Sequence, residues 1–254
     1  MKTAYLKLPG RSGCNLQIIE NKNDFLVRKS SIKTAYNQRL ILQAQKQKAF
    51  INHPPFFVPE VQNIVVDADS SFFDMEYIAA EKYSDYLVRK TKSELDKLIS
   101  DIISYIETNL IHSDIKKPDH AIFIKKAIAL KGELNESNIQ VKALLERLIE
   151  KIPTHPVPHG YCHGDLTFSN MIFSGDKVYF IDFLDSFFDS PLIDIVKLRQ
   201  DTCFYWTLLI DSELEANKRN KMLQIMRYFD VRLYQAFEKF NYFQPWYNYL
   251  QCFN

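Results

Sequence analysis

Between His163 and Asp182 three side chains, Asp165, Asn170 and Asp182, are spaced so that they could do chemistry together. The run is His163-Gly164-Asp165-Leu166-Thr167-Phe168-Ser169-Asn170, then the apolar Met171-Ile172-Phe173, then Ser174-Gly175-Asp176-Lys177. Val178-Tyr179-Phe180-Ile181 and Asp182-Phe183 follow. The pattern reads as loop, strand, tight turn, strand, acid. Such a hairpin brings Asn170, at the start of one strand, beside Asp182, at the end of the other. An amide oxygen next to a carboxylate suits Mg²⁺, a hard cation that takes few protein ligands and keeps water or phosphate oxygens. Asp165 lies in the preceding loop, where it could orient or deprotonate an attacking hydroxyl. A base and two metal ligands are the protein parts that phosphoryl transfer needs.

The elements that must position these groups are visible in outline. Cys14 to Glu20 alternates loosely, Asn21-Lys22-Asn23-Asp24 is a polar turn cluster, and Phe25-Leu26-Val27 restarts an apolar run, which predicts a hairpin. Thr34 to Ile51 has no Gly or Pro and spaces Leu40, Ile41, Ala44 and Phe50 for a helix, closed by Pro54-Pro55. Val58 to Val66 and Phe72 to Ile78 read as further strands. From Ser93 the stripe Leu95, Leu98, Ile99, Ile102, Ile103, Ile106 and Leu110 predicts an amphipathic helix capped by Ser93 with Asp96. A second stripe is Ile139, Leu144, Leu145, Leu148, Ile149 and Ile152, and both stripes are expected to pack into the core. Short strands and turns return between Pro153 and Asp194, and from Ile195 the chain reads as helical. The fold class expected is α+β, with a small β-rich lobe over about residues 1–76, a connector, and a larger, mainly helical lobe.

Bulk properties narrow the function classes. The 254 residues are 46% hydrophobic and 25% charged with a net charge of +1, so nothing in the charge balance favours a nucleic acid or a membrane surface as partner. No run of about 18 apolar residues is present to span a bilayer. Met1 to Gly10 has no apolar leader core. Cys14, Cys162, Cys203 and Cys252 are far apart and form no CxxC pair, so they are expected to be reduced thiols in a cytoplasmic protein. His155, His159 and His163 recur every fourth residue as zinc ligands on a helix would, but Pro153, Pro156 and Pro158 forbid a regular helix there.

The order HGD, four residues, Asn, and a following Ile181-Asp182-Phe183 parallels the HRD, Asn and DFG set of protein kinases. In this HGDxxxxN form it resembles the aminoglycoside phosphotransferase and choline kinase superfamily. Ser190-Pro191-Leu192-Ile193-Asp194-Ile195 is similar to that superfamily's segment ending in a buried Asp. The resemblance covers roughly residues 10 to 200. It implies a two-lobed protein kinase-like fold with a nucleotide-binding lobe at 1–76, a hinge at 77–81, and a catalytic and acceptor-binding lobe at 82–254. It also implies ATP and Mg²⁺ as cofactors and a brace, not a base, in His163.

On the nucleotide side, Gly10-Arg11-Ser12-Gly13 places two of only six glycines before the first strand, as a backbone that must turn tightly beside phosphates requires. With Ser12 it resembles the superfamily's short glycine loop. The resemblance puts a phosphate-binding cation on the second strand, at Arg28 or Lys29. Strand parity allows only one of the two to face the nucleotide, and Lys29 is the preferred one. Met75-Glu76-Tyr77-Ile78 resembles the hinge, where backbone groups at Glu76 and Ile78 would hold adenine. One departure stands out. Kinases pair the strand cation with a helix Glu, yet Phe25 to Pro59 contains no Asp or Glu and the helix offers Gln43, Gln45 and Gln47.

The acceptor implied is a small molecule with a hydroxyl. Choline-like substrates call for an aromatic cage, which Tyr242, Phe243, Trp246, Tyr247 and Tyr249 could supply or could spend on lobe core; sugars call for acids and amides. A nucleotide-binding regulatory module without turnover is the alternative.

Overall fold

In the computed structural model, which describes residues 6–8, 14–21, 24–31, 34–67, 71–135, 137–211 and 214–253, the alternation after Cys14 becomes one strand of a hairpin. In chain order the elements begin β1 (Leu6–Leu8), β2 (Asn15–Asn21), β3 (Asp24–Ser31), α1 (Thr34–Lys48), β4 (Phe56–Phe57), β5 (Val61–Val66), β6 (Ser71–Glu76) and α2 (Tyr83–Arg89). Then come α3 (Lys92–Ile111), β7 (Asp114–Lys116), α4 (His120–Glu133), α5 (Ile139–Glu150), β8 (Val157–His159), β9 (Met171–Ser174) and β10 (Lys177–Phe180). The chain closes with α6 (Pro191–Thr202), α7 (Trp206–Ile210), α8 (Ala216–Phe237) and α9 (Phe243–Gln251). The described residues up to Tyr86 form one compact unit with Ser169–Asp185. Leu87–Phe168 and the described residues from Ser186 form the other.

The first unit is β-rich. Its main sheet has the order β1-β2-β3-β6-β5, every neighbouring pair antiparallel. Val27, Lys29 and Ser31 alternate with Arg28 and Ser30 along β3, so the first three share one face. Helix α1 packs its buried Leu40 and Ala44 against that sheet's Val27, Val61, Phe73 and Met75. A second sheet, β4-β10-β9, joins the β9–β10 hairpin to β4, which runs parallel to β10. Phe56 stacks on Phe180 at 4.9 Å between ring centroids, and Phe50 meets the edges of Phe180 and Phe183. The hairpin turn places Gly175 at φ +60°, where a residue without Cβ bears no steric cost.

The second unit is mainly helical and is built around α6. Pro191 occupies the first helical position and the Ser190 hydroxyl accepts from the Leu192 N–H, so the helix starts four residues before the expected Ile195. Nearly all of α6 is buried, the apolar Leu192, Ile193, Ile195, Val196 and Leu198 together with the polar Asp194, Arg199, Asp201 and Thr202. Helix α3 buries the expected stripe at Leu95, Leu98, Ile99, Ile102, Ile106 and Leu110. On α8 the buried side is Met222, Ile225, Met226, Phe229, Leu233 and Phe237. Phe243, Trp246, Tyr247 and Tyr249 of α9 are buried, with Phe123 of α4 lying 5.2 Å from Trp246. The aromatic tail is therefore lobe core and not a solvent-lined cage.

Two expectations are corrected. The cap of α3 is Thr91 with Glu94, not Ser93 with Asp96. The Thr91 hydroxyl accepts from the Glu94 N–H at 3.3 Å and the Glu94 carboxylate accepts from the Thr91 N–H at 2.8 Å. This reciprocal box satisfies two donors at the helix start. The Thr91 N–H, then Lys90, hold the Glu94 carboxyl down at about 2. Asp96 instead receives Lys92 at 2.8 Å, Arg232 at 3.2 Å and the Tyr228 hydroxyl. The second stripe is only partly core: Leu145 and Leu148 of α5 are buried, whereas Ile139 and Leu144 are exposed.

Gly160 follows β8 and lies three residues before His163. A Cβ there would run into the Ser113 hydroxyl and come within 3.2 Å of the Ser113 Cα. Gly160→Ala is expected to cost about 1–3 kcal/mol of stability, the usual scale of overpacking. Thermal unfolding should show a lowered Tm that Ser113→Gly partly restores; an unchanged Tm would mean that the strand end yields freely.

Candidate active site

The loop from His163 to Phe168 has two fully buried apolar anchors, Leu166 and Phe168, and its backbone is shaped further by polar contacts. Three residues of α6 supply them. Asp194, fully buried, accepts from the His163 and Gly164 backbone N–H groups, each at 2.8 Å. Asp201, seven residues on, accepts from the Phe168 N–H at 2.7 Å, the Thr207 N–H at 2.9 Å and the Thr207 hydroxyl. Lys197, between them, places Nζ 3.2 Å from Oδ1 of Asp165. Positions i, i+3 and i+7 fall on one face of a helix, so one stripe of α6 meets the start, middle and end of the loop. Within the loop Gly164 is at φ +88°, a backbone conformation that side chains rarely adopt. The Thr167 N–H donates to the Asp165 carbonyl at 2.8 Å and tightens the turn.

His163 is fully buried, and its Nδ1 accepts from the Asp165 N–H at 3.2 Å. That bond puts the neutral ring's proton on Nε2. The ring braces the Asp165 backbone. Burial raises the Asp201 carboxyl above the ordinary carboxylate value, and its bonds to Thr207 and Phe168 offset this only in part. Asp189, a neighbour in the same unit, holds the segment before the loop: its carbonyl accepts from the Gly160 N–H at 3.1 Å.

In the first unit the β9–β10 hairpin does what its sequence predicts. Phe180 pairs with Met171, and the Ile181 N–H donates to the Asn170 carbonyl at 3.0 Å. This closes the hairpin one residue short of Asp182, so Asn170 and Asp182 flank the same open end. Asp182 is at φ +60°, a left-handed conformation that is uncommon outside glycine and persists only where the surroundings enforce it.

The surroundings that enforce it include Lys29. Its side chain is 3% exposed, and Nζ donates to Asp182 Oδ1 and to Gln43 Oε1, both at 3.0 Å. Gln43 in turn donates to the Tyr36 hydroxyl at 3.4 Å. Gln43 thus stands where a helix carboxylate was missing. Of the other two glutamines named, Gln47 donates to the Pro59 carbonyl at 2.8 Å and fixes the chain after α1. Arg28 points the other way along β3. It forms a two-pronged pair with Asp74, at 2.7 and 2.9 Å, and stacks on the Phe72 ring. Strand parity separates Arg28 and Lys29 as expected.

Glu76 ends β6 and its N–H donates to the Glu60 carbonyl at 2.9 Å, while Ile78 follows in irregular chain. Gly10, Ser12 and Gly13 lie outside the described residues. Lys197 and Asp201 were not singled out from sequence. The signal that could have found them is two charged residues at i+3 and i+7 from Asp194, on the same face of one helix.

Among the described residues no helix is long and apolar enough to cross a membrane, and none of the four cysteines is in a disulfide. Solved structures share the fold. A thermostable mutant of aminoglycoside phosphotransferase APH(4)-Ia, apo form, superposes with a TM-score of 0.63 at 13% identity, over 98% of this chain and 84% of that one. The aminoglycoside-3'-phosphotransferase of type VIII gives 0.59 at 16% identity, over 99% and 94%. A ternary complex of the first enzyme with AMP-PNP and hygromycin B gives 0.57 at 12% identity, over 98% and 91%. No curated protein matches the sequence. A family model, however, does: the one for the phosphotransferase enzyme family (APH) covers residues 15–221, from β2 into α8 and through the whole HGD, Asn and IDF set. The chain belongs to the phosphotransferase enzyme family.

Proposed function

We propose that the protein transfers the γ-phosphoryl group of ATP to a hydroxyl of a small molecule, a sugar or an amino-alcohol. The observation that carries this reading is the separate anchoring of each reactive carboxylate. Asp165 rides on a loop whose backbone is tied to two buried acids, and Asp182 is held at φ +60° against a buried lysine. In the proposed reaction Asp165 accepts the acceptor's hydroxyl proton as its oxygen bonds to the γ-phosphorus. The bond from that phosphorus to the bridging oxygen breaks, and ADP leaves with the electron pair. Lys29 holds the phosphates, and the backbone at Glu76 and Ile78 holds the base.

The Asn170 amide oxygen and the Asp182 carboxylate are hard oxygen donors at one end of a hairpin, a set that fits Mg²⁺. Bound there, the ion would neutralise charge on the phosphate oxygens. Support for a nucleotide and a sugar-like acceptor comes from the AMP-PNP and hygromycin B complex of the structural neighbour. The loss of a charged helix partner for Lys29 keeps one other reading in view, a nucleotide-binding module without turnover.

Turnover separates the two. Incubated with Mg²⁺ and ATP, the protein is expected to release ADP with at least one of choline, ethanolamine, a hexose and an aminoglycoside. A Mg²⁺-ATP thermal shift without turnover would favour the binding module; absence of both would sink the kinase reading. Asp165→Asn should lower turnover by roughly 10²–10⁴-fold, the usual contribution of a general base, with the thermal shift by Mg²⁺-ATP retained. Gln43→Leu removes one hydrogen bond to a charged partner, a loss of about 1.5–3 kcal/mol. It is therefore expected to raise KM for ATP roughly tenfold or more while kcat changes little, and an unchanged KM would remove Gln43 from the nucleotide side.

A further inference from the structure

The lysine on the α6 stripe has no place in the set just described. Asp194 and Asp201 act on the backbone of the loop, at His163, Gly164 and Phe168. They fix where the Cα of Asp165 sits, but they leave the side-chain torsions of Asp165 to be settled by something else. An Asp carboxyl has a broad, roughly two-fold second torsion, so a pinned backbone alone does not aim it. One cation that meets it is Lys197, with Nζ 3.2 Å from Oδ1. Its ammonium is itself steered by the Gln200 side-chain oxygen at 3.4 Å, one further turn along the helix. The Lys197 side chain is only 17% exposed and that of Asp165 34%, so the pair is half-sheltered but not locked in the core.

An ion pair this accessible adds little to stability. Its geometric effect is larger. A charge-assisted bond to one carboxylate oxygen restricts the plane of the whole group, and the direction in which a base accepts a proton follows from that plane. We infer that Lys197 is the positioning residue of the reaction, aiming the Asp165 carboxylate at the acceptor hydroxyl. The inference rests on the reading of Asp165 as the base.

The test uses the full chain and follows ADP release with Mg²⁺-ATP, both with the four acceptors named above and with water alone. Lys197→Met is expected to lower kcat roughly 10–100-fold, the scale of a misaimed reacting group, with KM for ATP, the Mg²⁺-ATP thermal shift and Tm unchanged. Lys197→Arg, which restores a cation, should recover most of the lost kcat. In the Asp165→Asn background Lys197→Met should have no further effect, because the lysine acts through the carboxylate. A Lys197→Met protein with unaltered kcat, or an equal loss in both backgrounds, would overturn the inference while leaving the base assignment intact. Full activity in Asp165→Asn alone would instead remove the base reading.

Discussion

A buried carboxylate is stable only where oriented donors replace the water it loses, and the geometry around α6 follows from that constraint. Asp194 has no exposure and faces two backbone N–H groups of adjacent residues. Two neighbouring N–H groups can converge on one carboxylate only if the chain bends sharply between them, and Gly164 at φ +88° supplies that bend. Helix and loop are therefore mutually dependent: the acid is tolerable in the helix because the loop caps it, and the loop keeps its bend because the acid accepts both donors. Asp201 repeats the arrangement two turns later with Phe168 and Thr207. Burial still pushes its carboxyl upward, offset in part by those donors.

The first unit meets the same constraint with the sign reversed. Lys29 sits on the core-facing side of β3, in line with Val27, where an ammonium would be costly alone. It is satisfied by one carboxylate from the hairpin and one amide from α1. That pairing in turn steadies Asp182 in a conformation it would not adopt by itself. Sheet, helix and hairpin are thereby joined at a single ammonium, so the hairpin carrying Asn170 and Asp182 has a polar tie as well as the aromatic stack of Phe56 on Phe180.

What could be read from sequence followed how local the cause was. The hairpin was legible because alternation, a glycine turn and an acid lie within fourteen consecutive residues, 170 to 183. Helix α3 was legible from its stripe, but its start was not, since Thr91-x-x-Glu94 and Ser93-x-x-Asp96 overlap and only the backbone at Thr91 decides between them. Helix α4 went unread: it buries Phe123 and Ala127 and otherwise exposes much of its surface, so its periodicity is faint. The two-residue β4 has too few positions to show any period, and its parallel pairing with β10 arises from segments more than a hundred residues apart. The site divided the same way. Asp165, Asn170 and Asp182 were singled out by spacing, whereas Lys197 and Asp201 contact a loop about thirty residues away and become meaningful only once α6 is folded beside it.

Gln43 is the feature on which sequence and structure bear together. A carboxylate at this position would give Lys29 a second anion, and the ammonium would then face two full negative charges. The amide holds Nζ at the same kind of distance without adding charge, and its own N–H is turned toward the Tyr36 hydroxyl. Orientation and neutralisation, which a single Glu would combine, are thus separated: Gln43 orients, and Asp182 neutralises. In the proposed reaction this leaves the lysine's charge less committed to the helix and more available to a phosphate. The same substitution makes the position of Lys29 depend more heavily on Asp182 than a symmetrical pair of carboxylates would. Sheet and hairpin are therefore coupled through one ion pair, and a change at either end is felt at the other.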